Sequence, residues 1–208
     1  MTEPPAIETE PWERVQQWSE TAFESRIVTV EAVNAVYEKP DFRTRFRPLF
    51  GDGIEQTPRA TFTTGLSVSR PPPGEKTTQT VLGIAAKYAS LEFEKSLARD
   101  GLVDVERTNA TDLRLRGRRT AKAFQFDADY PLSAAALGVP DAEPVLQVRV
   151  WAAIWATTDA FEMAGGIYPL EDLGDAVARV GGETEISVGA QPGGDRRAVL
   201  DRIREAAN

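Results

Sequence analysis

The 208-residue chain contains neither cysteine nor histidine. Thiol nucleophiles, thiolate metal sites, disulfides, Ser-His-Asp chemistry and imidazole ligation are therefore excluded within it. Lys plus Arg total 24 and Asp plus Glu total 32, a formal charge of −8 that disfavours general nucleic-acid binding.

Residues 1–9, rich in Pro, Glu and Thr, read as a flexible acidic arm, and residues 10–208 as a single α+β domain. Pro11 suits a first helical turn, and Trp12, Val15, Trp18, Ala22 and Phe23 fall near one face at helical spacing. These residues predict a helix over about 10–26. The Ile27–Tyr37 stretch fits either a strand or a continuation of that helix. Residues 38–58 read as a long irregular connection, pinned to the body by Phe42, Phe46, Leu49 and Phe50.

Alternation of Phe62, Thr64, Leu66 and Val68 with Thr61, Thr63, Gly65 and Ser67 predicts a strand over 60–69. Pro71, Pro72, Pro73 and Gly74 then form a stiff exit loop. The clearest helix spans 80–100, with Val81, Ile84, Ala85, Tyr88, Leu91 and Ala98 as its apolar stripe, Leu97 beside it and Gly101 as its stop.

Strands are expected over 103–107 and 112–130, with Gly117 and Arg118 in a turn. A Pro/Asp/Ala connection leads to the strongest strand, 145–157, in which Leu146, Val148, Val150, Ala152 and Ile154 share one face. Thr158 and Asp159 turn the chain into an antiparallel partner over 161–168, where Gly165-Gly166 marks a tight approach or a bulge. A short helix over 170–180, a short strand over 183–188 and a terminal helix over 195–207, capped by Asp195, complete the reading. The fold class is α+β, a central antiparallel sheet flanked by helices.

Two constellations stand out as binding candidates. Arg114, Arg116 and Arg118 project together if their segment is a strand, with Leu113 and Leu115 pointing inward. Their guanidinium forks suit an anion or an acidic partner, or they form a solvated, internally paired face. Arg149, Trp151 and Trp155 likewise share a face. They form a ligand shelf bordered by the 42–50 loop, or they seat a covering helix, for which the Trp12/Trp18 segment is the candidate.

The carboxylate pairs Asp127/Asp129, Glu92/Glu94 and Asp172/Asp175 could support hydrolysis or hold a hard cation, but so acidic a chain produces such pairs by chance. Ser90 with Lys87 lacks a known dyad pattern. No catalytic residue, metal site or cofactor is expected.

Five lysines (Lys39, Lys76, Lys87, Lys95, Lys122) against 19 arginines, with the acidic balance, fit a salt-rich cytoplasm; a GC-rich genome also explains the arginines. No apolar run reaches 18 residues, and Met1–Glu10 has three glutamates and no basic residue. Cytoplasmic residence without membrane insertion is therefore expected, unless the chain is a truncated processed precursor.

The strand 61–69, the helix 80–99, the strands around 103–130 and the block VRVWAAIWATTDAFEMAGGIYP at 148–169 resemble, in their order, the Mog1/PsbP-like fold. The chain also resembles acidic proteins of halophilic archaea, some made as lipoproteins, although it has no lipobox. The resemblance covers about residues 25–205 and implies a noncatalytic binding or assembly module; no residue inherits a role. The leading expectation is thus an interaction or accessory domain with a protein partner, of open oligomeric state. The alternatives are a small-ligand protein with a Trp/Arg-lined pocket and a carboxylate-dependent hydrolase.

Overall fold

The structure, a computed structural model, describes residues 3–7, 11–24, 29–51, 53–69, 75–158 and 160–207, with backbone alone for 75–80 and Arg118. The Pro71–Gly74 exit loop lies outside the described residues, as do Asp159 of the 158–159 turn and Ile27 and Val28.

Seven strands form one antiparallel sheet: β1 (Glu13–Glu24), β2 (Thr29–Glu38), β3 (Ala60–Val68), β4 (Val103–Arg114), β5 (Thr120–Pro131), β6 (Val145–Ala156) and β7 (Phe161–Pro169). Their order is β1-β2-β3-β7-β6-β5-β4, so two meanders meet where β3 pairs with β7. Among the described residues, four α-helices complete the fold: α1 (Pro40–Phe46), α2 (Glu75–Arg99), α3 (Leu173–Ala178) and α4 (Pro192–Ala206). The expected α+β class and central antiparallel sheet with flanking helices are therefore present. No helix among the described residues is long and apolar enough to cross a membrane.

Period-two alternation divides the sheet into two faces. One carries Phe124, Phe126, Leu146, Val148, Val150 and Ile154, which pack with Leu82, Ala86, Phe93 and Leu97 of α2. Phe42, Phe46 and Tyr130 join this layer; the Phe42 and Phe46 rings stack at 5.4 Å and the Phe46 and Tyr130 rings meet edge-on at 6.2 Å. The phenylalanines of 42–50 thus pin their segment as expected, although that segment contains a helix. The opposite face carries Ala123, Trp151, Ala153, Trp155 and Ala164, covered by Val199 and Ile203 of α4.

The N-terminal helix expected over 10–26 is a strand instead. Register shifts between Arg14 and Gln16 and between Thr21 and Phe23 break its alternation. Each bulge moves the apolar residues by one position, so a strand acquires helix-like spacing. Of the arm expected to be flexible, residues 3–7 are described, and Ile7 is buried against Ala35 and Tyr37 with Trp12 alongside.

The stripe expected to face the core on α2 does so only in part: Val81 and Ala85 pack against it and Leu97 beside them is buried, but Ile84 is 64% exposed, Tyr88 54% and Leu91 43%. The buried row is Leu82, Ala86, Ser90 and Leu97, with Phe93 partly buried alongside. This helix has two apolar rows, and periodicity alone does not say which one meets the sheet.

Residues 183–188 form no strand. They belong to an irregular segment organised by Asp172, whose carboxylate accepts from Ser187 Oγ (2.7 Å), Val188 N (3.3 Å) and Gly189 N (3.1 Å) while capping α3 through Leu173 N (2.8 Å). Desolvation alone would raise the Asp172 pKa, but these hydrogen bonds outweigh it and hold it below 3.8. A depressed carboxylate stabilises the fold above its unfolded pKa, and that stability is lost as pH falls through the folded value. Asp172→Ala is therefore expected to cost about 1 kcal/mol at pH 7, as loss of a helix cap does. The difference from the wild type should shrink once the pH drops below 3.8; urea titrations across that range check it.

Candidate functional site

Helix α2 packs mainly on β4–β6 and reaches toward β1–β3 through the Phe62–Phe93 and Phe23–Tyr88 ring contacts. Beside it lies a cavity of about 1030 Å³ bounded by β1, β2, β3, the flank of α2 and residues 53–57. That volume is at the upper end of the ~300–1,000 Å³ typical of small-molecule sites. Two contacts bridge β1 to the far wall: the Phe23 and Tyr88 rings lie 5.7 Å apart, and Gln16 Nε2 donates to Glu55 Oε2 at 3.0 Å.

The 53–57 wall is held by the end of β2. Buried Glu38 accepts from Thr57 N at 2.6 Å and pairs with Arg43 of α1. Tyr130 donates its hydroxyl to Gln56 O at 2.6 Å. Burial is the main cause pushing the Tyr130 pKa far above its ordinary value, with the Glu38 charge adding to it, so the phenol stays protonated as a donor.

The floor changes character along the sheet. Beneath α2 it is apolar, but on β1–β3 a polar row crosses three strands. Thr64 Oγ1 donates to Asn34 Oδ1 at 2.8 Å, and Asn34 Nδ2 donates to Glu20 Oε1 at 2.9 Å. Trp18 stands directly opposite Asn34 and lines the cavity at 39% exposure. At the end of α2, Asp100 is exposed by area yet crowded by protein atoms. Desolvation is the main cause raising its pKa; Glu20 and Glu55 add repulsion, while Arg99 and Ser96 act in the opposite direction.

The residues singled out from sequence lie elsewhere. Strand β4 ends at Arg114, and residues 116–118 form a 3-10 turn in which Gly117 takes φ +68°. The strand alternation needed to align Arg114, Arg116 and Arg118 is therefore absent, although Leu113 and Leu115 do pack inward. Arg114 and Arg116 are exposed and form no ion pair with another described residue; the side chain of Arg118 lies outside the described residues.

Trp151 and Trp155 are 2% and 0% exposed, so they form no open ligand shelf. Their cover is α4, not the N-terminal segment, and the 42–50 segment packs on the other side of the sheet. Arg196 lies over the Trp151 ring at 5.4 Å, and Trp155 Nε1 donates to Glu162 at 2.9 Å. Helix α4 begins three residues before the expected 195. Asp195 ties it down by accepting from Gln191 N (3.0 Å) and Arg59 (2.8 Å), and Arg119 donates to Ala207 O at its far end.

Arg149 is held by Asp127 through two 2.7 Å bonds, which also occupies one acid of the Asp127/Asp129 pair. Asp172 is a structural cap, and Ser90 accepts from Arg107 at 2.9 Å. Asp127, Asp172 and Ser90 are thus engaged in holding the fold. The cavity residues Trp18, Glu20, Asn34 and Thr64 escaped sequence reasoning. The available signal was Asn34, a lone amide among Ala32, Val33, Ala35 and Val36, but its meaning depended on β1 being a strand.

No curated protein and no solved structure matches the chain. A family model described as "Domain of unknown function (DUF6517)" matches residues 2–206. Through that match the chain belongs to the DUF6517 family.

Proposed function

We propose that the protein is a noncatalytic accessory domain that acts by binding, and that its ligand occupies the cavity beside α2. The observation carrying this reading is the Glu20–Asn34–Thr64 row on the inward face of a sheet. Beneath α2 that face is closed with apolar side chains. A polar row facing a cavity forgoes the burial that Leu or Val would give there, a pattern expected where a ligand supplies the missing contacts.

The likeness to the Mog1/PsbP-like fold agrees with an accessory role, and the acidic, lysine-poor composition agrees with a halophilic archaeal source and a salt-rich cytoplasm. The lack of cysteine and histidine favours binding over catalysis.

The test is copurification. Protein isolated from its own host at native salt is expected to release a nonprotein molecule into organic extract, identified by mass spectrometry. Ala22→Phe, which adds a ring to a half-buried lining position on the edge strand β1, should abolish its retention while leaving the circular dichroism spectrum and melting transition in place. Equal retention by the variant, or no molecule from either protein, would count decisively against the cavity as the binding site.

A further inference from the structure

We infer that the cavity selects an organic cation with an apolar body, its charged head held at the rim among Trp18, Glu20, Glu55 and Asp100. This inference rests on the cavity being the binding site. Among the described residues, the carboxylates of Glu20, Glu55, Glu92 and Asp100 line it, against the guanidinium of Arg99. Glu92 is paired with Lys95 at 2.7 Å. Glu20 and Glu55 instead accept from the neutral amides of Asn34 and Gln16, which orient them without cancelling their charge. Asp100 accepts a long 3.5 Å bond from Ser96 Oγ and shares the field of Arg99. The rim therefore carries excess negative charge whose mutual repulsion is relieved by a cation and worsened by an anion.

Burial sorts the lining into head and tail regions. Glu20, Glu55 and Asp100 are exposed, as is Trp18, whereas Leu66, Leu97 and Val150 are buried and Phe62, Phe93 and Met163 partly so. Trp18 places an exposed indole on the same strand as Glu20, and an indole near carboxylates suits an ammonium group. Among the described residues no three acids are close enough to hold a metal ion. A spread-out rim of this kind suits the diffuse charge of a substituted ammonium, and the apolar depth suits an alkyl or ring body.

Calorimetric titration with octyltrimethylammonium chloride and with sodium octanoate, both below their micellar range and at matched ionic strength, tests the inference. The ammonium probe is expected to bind at least about tenfold more tightly than the carboxylate probe of matching chain length. The Glu20→Gln/Asp100→Asn double variant should erase that preference, Asp100→Glu should retain it, and each variant should melt as the wild type does. Trp18→Leu should weaken the ammonium probe by a few fold and leave octanoate unchanged.

Octanoate binding as well as the ammonium overturns the cationic inference while leaving the cavity reading intact. A preference that survives the double variant also overturns it, because the charge then comes from elsewhere. No heat with either probe overturns it as well, and the copurification result alone then decides the cavity reading.

Discussion

Gly165→Ala is expected to be the most damaging single-methyl change in the chain, lowering stability by about 3 kcal/mol or more, near the upper end of overpacking effects. Gly165 sits in β7 opposite Ala152 of β6 and Phe62 of β3. A Cβ there would lie 2.1 Å from Trp151 O and 2.4 Å from the Phe62 ring. The first neighbour is backbone in the middle of the sheet and cannot rotate away. Relief requires β6 and β7 to separate, which breaks ladder hydrogen bonds between two central strands. Gly174→Ala in α3 is the control, since nothing lies within 4 Å of its added Cβ. It should gain up to about 1 kcal/mol from helix propensity. Urea unfolding of both variants at native salt gives the comparison; a Gly165→Ala midpoint equal to the wild type would mean that the strands are spaced more widely than described.

Trp155→Ala is expected to lose about 3–5 kcal/mol, the range for truncating a buried aromatic side chain. Trp155 is fully buried between the sheet and α4, in the same cluster as Ala121, Val199 and Ile203. Its removal opens a void in the apolar layer beneath α4. It also takes the indole donor from Glu162.

Trp155→Phe separates these two effects, because it retains most of the volume and removes only the donor. Burial is the main cause raising the Glu162 pKa above 4.5, while the Trp155 hydrogen bond and the Arg119 charge counter it. Without the donor the pKa rises further, so ionisation of Glu162 opposes folding more strongly. A carboxyl raised in the folded state imposes no penalty below its unfolded pKa and a growing one as the pH rises toward the folded value. Trp155→Phe should therefore lie close to wild type near pH 4 and fall behind it by pH 7. Denaturation midpoints at the two pH values show whether the gap opens; a constant gap would assign the whole loss to packing.

Strands whose alternation is unbroken were legible from their residues. β3, β6 and β7 fall where period two predicts them, and Gly165-Gly166 is a tight approach, as their pairing in a strand implies. Phe42, Phe46 and Leu49 are buried, and Phe50 partly so, because four large apolar groups in a charged segment are stabilised by packing on the body. β1 was not legible, because two bulges reset its phase and produced a helical spacing. The arginine face failed for a related reason. One left-handed glycine, Gly117, turns the chain after Arg114, and a turn has no alternating faces.

By itself the sequence determined the exclusions, the α+β class and the acidic balance, since these follow from residue types and from local periodicity. Only the tertiary structure decided which faces meet. Trp151 and Trp155 are buried because α4, some forty residues later in the chain, covers them. Ile84, Tyr88 and Leu91 are exposed because α2 presents its other apolar row to the sheet. The cavity exists because α2 packs mainly on β4–β6, to one side of β1–β3. Each of these outcomes depends on contacts between segments far apart in the chain, and hydrophobic burial is non-directional: it states that an apolar row will be covered, but not by which partner.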